Sequence, residues 1–194
     1  MNVLVVPEDF RKDQFILKPI VRALLAEVGY GKAKVEVCRD PLIGGISKAL
    51  KWEVLKPILE RYRWQVDLFL LCVDRDGSEG RAGALRALEV KAQAMLGAKR
   101  FFLAEHAWQE LEVWILAGHN KLPKGWKWSE IRAERDPKER YYLPFAKLSG
   151  CMDHPAEGRG TLAIEAARNY KRIRKLCPED VRNLEDRVAT VLHD

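Results

Sequence analysis

Cysteine and histidine are scarce in this chain, four of each in 194 residues. Cys38, Cys72, Cys151 and Cys177 form no C-x-x-C pair and have no neighbouring histidine at zinc-ligand spacing. A zinc site and a Cys–His nucleophile are therefore without support. The cysteines read as reduced thiols, with Cys38 and Cys72 inside predicted strands, where they pack as small hydrophobes. Neither G-x-G-x-x-G nor G-x-x-x-x-G-K-S/T occurs, so nucleotide binding through a glycine loop is unsupported. No apolar run approaches the roughly 18 residues that cross a bilayer, and MNVLVVPEDF breaks at a proline and two acids, unlike a secretion signal or an anchor. The expectation is a cytoplasmic protein with no membrane partner. Internal repeats and low-complexity tracts are also missing.

What is present describes a folded domain. Hydrophobic residues make up 47% and charged residues 32% of the chain, enough apolar side chains for one full core and too few residues for a multi-domain machine. The formal charge of +6 favours an anionic partner, nucleic acid before membrane, provided the charge clusters.

The chain reads as strands alternating with helices. Asn2–Val6 is a short apolar strand closed by Pro7. Apolar residues from Phe15 to Val28 then recur at helical spacing, with Pro19 near the first turns, where proline costs least. Lys34–Cys38 alternates as a second strand. Ser47 is a plausible N-cap for a helix to about Tyr62 that Pro57 bends or shortens. Leu68–Val73 has no polar alternation, as expected of a strand buried on both faces. It stops at Asp74-Arg75-Asp76-Gly77. An amphipathic helix runs from there to Gly97, and a fourth strand, Arg100–Ala104, delivers Glu105 at its end. HAWQELEVWILAG is then apolar nearly all round, a buried helix whose Glu110 and Glu112 must be paired or bound.

Four β–α alternations predict a three-layer α/β/α domain over residues 1–118, Rossmann-like, around a mainly parallel four-stranded sheet. Residues 119–194 carry a different composition. The stretch after Gly118 is rich in Pro, Gly, aromatics and charge and predicts an irregular arm, with one short helix around Ser129–Arg135. Two helices, Thr161–Leu176 and Glu179–Leu192, follow on either side of Pro178.

Open parallel sheets bind ligands beyond the carboxyl ends of their strands. Glu8, Asp74/Asp76 and Glu105/Glu112 would converge there, and like charges so crowded raise each other's pKa. Mg²⁺ or Mn²⁺ relieves the repulsion, and hard divalent cations take oxygen ligands from few carboxylates. Taken singly, each acid has a plainer role: Glu8 and Asp9 as a favourable pair at a helix start, Asp74 and Asp76 as an Asx-type turn. DRDGS also resembles the first motif of haloacid-dehalogenase-type phosphatases, but that motif belongs on the first strand. Response-regulator receivers need a late-strand lysine where Glu105-His106 stands.

The pattern VLVVPED…LLCVDRDG resembles the Toprim domain of topoisomerases, primases and overcoming-lysogenization-defect-type nucleases. That domain carries a glutamate after the first core strand and an Asp-x-Asp after a later one. QELEVWILAG (Gln109 to Gly118) resembles a helix of small bacterial Toprim-like proteins often encoded beside ATPase partners. The likeness covers roughly residues 1–118. It implies Glu8 as the Toprim glutamate, Asp74 and Asp76 as the metal pair, and Glu112 as an additional acid. A Toprim glutamate is usually followed by Gly, whereas Glu8 is followed by Asp9, so either acid could hold the position.

Lys121 to Lys175 contains 14 Lys/Arg against 7 Asp/Glu, interleaved with Trp126, Trp128, Tyr141, Tyr142 and Phe145. Cations for phosphates and aromatic faces for bases make a nucleic-acid surface; a solvated face beside a small aromatic core is the plainer alternative. Arg168, Lys171, Arg172, Arg174 and Lys175 share one predicted helix and are the best candidates for binding nucleic-acid phosphates, and Lys147, upstream of them, could contact a scissile phosphate. The expected function is a metal-dependent phosphodiesterase on DNA or RNA, with Glu8, Asp74, Asp76 and Glu112 as its catalytic acids. The alternative is a non-catalytic nucleic-acid-binding or ATPase-partner module.

Overall fold

Leu68–Asp74 (β3) is apolar at six consecutive positions because it lies inside the sheet and is covered on both faces. Residues 1–193 are described by a computed structural model. In it β3 is flanked by Asn2–Pro7 (β1) and Phe101–Ala107 (β4), and Lys34–Val37 (β2) lies outside β1, giving the order β2-β1-β3-β4 with every pairing parallel. The register matches Pro7 with Cys72 and Asp74 with Ala107. The carboxyl ends of β1, β3 and β4 therefore lie side by side.

Alternation on the strands builds two cores. Val3, Val5, Leu68, Leu70 and Cys72 face Phe10–Glu27 (α1), Glu112–Gly118 (α5) and the C-terminal helices. Leu4, Val6, Phe69, Leu71 and Val73 face Trp52–Tyr62 (α3) and Arg81–Leu96 (α4). The result is the expected three-layer α/β/α arrangement. All four cysteines are free and buried. Among the described residues no helix is long and apolar enough to cross a membrane.

Several local expectations are corrected. α1 begins at Phe10, so Pro19 sits mid-helix and Asp13 falls in the first turn. The helix expected from Ser47 to Tyr62 breaks at Leu50–Lys51 into Ile46–Ala49 (α2) and α3, and Pro57 is held inside α3. β4 continues through Ala107, and the helix expected from His106 starts at Glu112, because Gln109 and Leu111 in the intervening segment bind the turn after β3.

The segment after Gly118 is more helical than its composition suggests. It forms Trp128–Ala133 (α6) and a π-helical turn, Lys138–Tyr142, that leads into Leu143–Leu148 (α7). Ile131, Tyr141, Tyr142 and Phe145 join the same hydrophobic cluster as β1 and α1. The helix expected over Thr161–Leu176 divides at Arg168-Asn169 into Arg159–Ala167 (α8) and Tyr170–Leu176 (α9). There the Asn169 amide donates to the Gly118 carbonyl at 2.9 Å. A second π-helical turn, Pro178–Arg182, precedes Asn183–His193 (α10).

Two contacts fix these helices on the sheet. The open edge of β4 is closed by side chains: the Ala104 N–H donates to Glu89 of α4 at 2.6 Å, and the Ala104 carbonyl accepts from Arg187 of α10 at 3.0 Å. On the other side, α5 and α8 approach so closely that a Cβ at Gly118 would lie 2.5 Å from Ala166 Cα. Gly118→Ala is expected to destabilise the fold by about 1–3 kcal/mol, seen as a lower urea midpoint; an unchanged midpoint would show that the helices separate freely.

Candidate active site

The first turn of α1 settles which acid faces β3. Asp9 is the N-cap: its side chain accepts the Arg11 N–H at 2.9 Å, while its own N–H donates to Asp13 Oδ2 at 2.9 Å. Glu8 is free to reach the next strand, and its Oε2 accepts the Asp74 N–H at 3.2 Å. Asp74 Oδ1 in turn accepts the Leu111 N–H at 2.8 Å, tying the end of β3 to the start of α5. Glu112, in the first turn of α5, is buried against Arg159, whose Nε donates to Glu112 Oε1 at 2.9 Å.

Glu8, Asp13, Asp74 and Glu112 thus meet at the carboxyl edge of the sheet, close enough to perturb one another. Burial pushes the Glu8 carboxyl up to about 7, against the lowering effect of the Asp74 N–H. Burial, aided by Glu8 and Glu112, pushes Asp13 up to about 8. Asp74 is raised well above the ordinary carboxylate range by burial and then by Glu112, Glu8 and Asp13. The first turns of α1 and α5 carry Asp13 and Glu112, and their N-terminal dipoles offset part of this charge.

Gln109 builds the turn that carries the Asp-x-Asp. Its carbonyl accepts the N–H groups of Arg75 and Asp76, at 2.8 and 3.3 Å, and its side-chain oxygen accepts that of Gly77 at 2.9 Å. Both Asp76 and Gln109 hold positive φ, 51° and 79°, a conformation that non-glycine residues adopt only where surrounding contacts impose it. Asp76 therefore parts company with Asp74. It is exposed, with its Oδ2 3.9 Å from Arg81 Nη2, although its charge still contributes to raising Glu8.

Glu105 does not join the cluster. Because β4 runs on past it, Glu105 is buried within the strand, accepting from Asn183 and lying 3.4 Å from Arg187 on α10. Glu110, beside Glu112, is committed to Lys138, whose N–H it accepts at 2.7 Å.

No family model, curated protein or solved structure matches this chain. The site must be read from its own chemistry. Its donors are all carboxylate oxygens, the set that suits Mg²⁺ or Mn²⁺, and their proton affinities are raised first by burial and then by one another, a penalty that a divalent cation would offset. Among the described residues no three His, Cys, Asp or Glu side chains are disposed to hold an ion as they stand. Two have other partners: Glu112 is bound by Arg159, and Asp76 lies toward Arg81. Glu8, Asp74 and the neighbouring Asp13 have no cationic side chain bonded to them, and these fit a cation best.

The basic residues singled out in the sequence lie elsewhere. Arg168, Lys171 and Arg172 line a surface cavity with Ala23, Ala26 and Glu27, at the far end of α1. Asp13 and Ala26 are thirteen residues apart on that helix, roughly 20 Å at 1.5 Å per residue. Arg174 is engaged by Glu185 and Asp186, Lys175 is exposed beside Leu176 in a separate groove, and Lys147 is exposed on α7. The cations near the carboxylates are Arg75, Arg81 and Arg159, with Lys12 beyond them on Glu157. Arg159 carried no local signal. It stands 47 positions from Glu112, and only packing of α8 on α5 pairs the two.

Proposed function

We propose that the protein is a metal-dependent phosphodiesterase of the Toprim type, a nuclease acting on DNA or RNA. The observation that carries this reading is the crowding of Glu8, Asp13 and Asp74 at adjacent strand and helix ends, where burial and mutual repulsion hold their protons far above the usual range. Such a site favours a doubly charged cation over three separate carboxylates.

Glu8 and Asp74 would hold Mg²⁺ or Mn²⁺, with Asp76 or Asp13 supplying the third carboxylate. The ion supplies Lewis acidity at the phosphoryl oxygen and a more acidic water. The chain's own contribution is positional. The Leu111 and Asp74 N–H groups fix Asp74 and Glu8, and Gln109 fixes the turn between Asp74 and Gly77. Arg159 holds Glu112 in place as a neighbouring charge. Glu8 or Glu112 would serve as general acid or base only in place of a ligand role; without a bound ion the Glu8 carboxyl is pushed up to about 7, near the value such a role requires.

Nicking or strand cleavage that needs Mg²⁺ or Mn²⁺ is the expected activity, and it should disappear in Asp74→Ala/Asp76→Ala. Equal cleavage by the wild type and the double variant would remove the proposal. Calorimetric titration with Mn²⁺ separates the remaining alternative. Heat of binding in the millimolar range or tighter accompanies the enzyme, whereas its absence favours a module that binds nucleic acid or an ATPase partner without turnover.

A further inference from the structure

Arg75 lies between the two aspartates of the turn, yet it pairs with neither. Asp74 is engaged by the Leu111 N–H, and Asp76 lies toward Arg81. The Arg75 guanidinium instead stacks on the indole of Trp108, its Cζ 4.1 Å from the ring centroid. That contact is the closest cation–π pair in the described residues.

The platform under Arg75 is fixed from behind. The Trp108 N–H donates to Asp180 Oδ2 at 2.8 Å, and Trp114 Nε1 donates to the same oxygen at 2.8 Å. Arg132 also lies over Trp108, at 5.6 Å, but its donors are spent on Asp180 and Glu179. Arg75 is not so consumed. A stacked guanidinium keeps its in-plane N–H donors available while its orientation is restricted.

A second arginine reaches the main chain of Arg75. Arg81 is buried, its Nη2 donates to the Arg75 carbonyl at 3.2 Å, and its Nε is buried without a hydrogen-bond partner. A buried guanidinium nitrogen left without a partner is unusual in a folded protein, where buried donors are nearly all satisfied.

We infer that Arg75, oriented by Trp108 and backed by Arg81, is a phosphate-binding residue for the substrate strand, adjoining the carboxylate cluster. The inference rests on the phosphodiesterase reading for its ligand, a nucleic-acid phosphodiester. Within it Arg75 is the residue that touches substrate, and Trp108 is a positioning residue. The planar fork matches two phosphate oxygens at once, which a lysine at this position could not reproduce.

The test measures binding without catalysis. Anisotropy of a fluorescein-labelled single-stranded oligodeoxythymidylate is followed in EDTA across a salt series. Arg75→Ala is expected to weaken binding roughly tenfold and to reduce the slope of log affinity against log salt by about 0.7, the loss of one phosphate contact on a single strand. Arg75→Lys should restore the slope but not the full affinity. Trp108→Leu should weaken binding with the slope retained, since charge is kept and orientation lost, and Trp108→Phe should recover part of the loss. Circular dichroism melts confirm that each variant is folded.

Arg75→Ala with affinity and slope both unchanged would overturn the inference, even if metal-dependent cleavage is observed. Loss of cleavage in Asp74→Ala/Asp76→Ala without any change in binding by Arg75→Ala would leave the nuclease reading standing alone. Conversely, a reduced slope in a protein that never cleaves would support Arg75 as a phosphate ligand and refute the nuclease.

Discussion

Asp13→Asn is expected to stabilise the protein increasingly from about pH 4, with the full gain reached at about pH 8, and to leave it unchanged below that interval. In the folded chain the Asp13 carboxyl titrates at about 8, against roughly 3.9 when unfolded. The folded state therefore binds more protons than the unfolded state across that interval. Stability present below the unfolded value is lost as pH rises through the folded one. Each pKa unit corresponds to about 1.4 kcal/mol, so the asparagine should recover on the order of 2–5 kcal/mol at alkaline pH. Its amide oxygen can still accept the Asp9 N–H that Asp13 now accepts.

Urea denaturation of both proteins across pH measures the effect, and parallel profiles would show that Asp13 is not held protonated by its surroundings. Glu8 has the same sign, its stability contribution declining as pH rises from the ordinary glutamate range through about 7. A divalent cation that binds only the folded state adds stability by mass action. Mg²⁺ or Mn²⁺ should therefore raise the midpoint of the wild type at neutral pH and leave that of Asp74→Ala/Asp76→Ala where it was.

The second large effect is structural. Arg159 is 1% exposed, bonded to Glu112 and Glu157, with its guanidinium 5.2 Å from the Tyr142 ring centroid. Removing one partner of a buried ion pair leaves the other charge without compensation, at about 3–5 kcal/mol. Arg159→Met should therefore lower the melting temperature on the order of 10 °C for a domain of this size. Removing both charges should be far milder, so Arg159→Met/Glu112→Leu is expected to regain most of the loss. A single variant as stable as the wild type would mean that Glu112 finds another partner or a proton.

These outcomes bear on how the site is divided. Arg159 compensates Glu112 permanently, whereas Glu8, Asp13 and Asp74 share only backbone donors and one another. The cluster thus contains a neutralised part and an uncompensated part, and the uncompensated part is where a cation gains most.

The sequence by itself determined the layering and the address of the site. Six consecutive apolar residues before Asp74 can be buried only inside a sheet covered on both faces. A strand–helix alternation of this length gives parallel pairing, which brings all strand ends carrying Glu8 and Asp74 to one edge. Local pattern also placed Glu112 on a buried helix, though mid-helix rather than in the first turn that the structure gives it. It misplaced Glu105, because a strand that continues three residues further reads the same as one that turns into a helix. It began the first helix at Phe15, short of Asp13, because residues 10–14 lack the apolar periodicity that marks a helix, while the Asp9–Asp13 cap that starts α1 depends on backbone N–H groups rather than on hydrophobic spacing.

The tertiary structure alone decided the pairings. Arg159 with Glu112, Trp108 with Arg75 and Asp180, and Gln109 with the turn after Asp74 all join residues tens of positions apart, and nothing in the spacing of charged residues specifies which cation meets which acid. The same holds for the basic helix. Its charges are plain in the sequence, but Arg168, Lys171 and Arg172 lie at the far end of α1, and the arginines nearest the acids are Arg81 of α4 and Arg159 of α8.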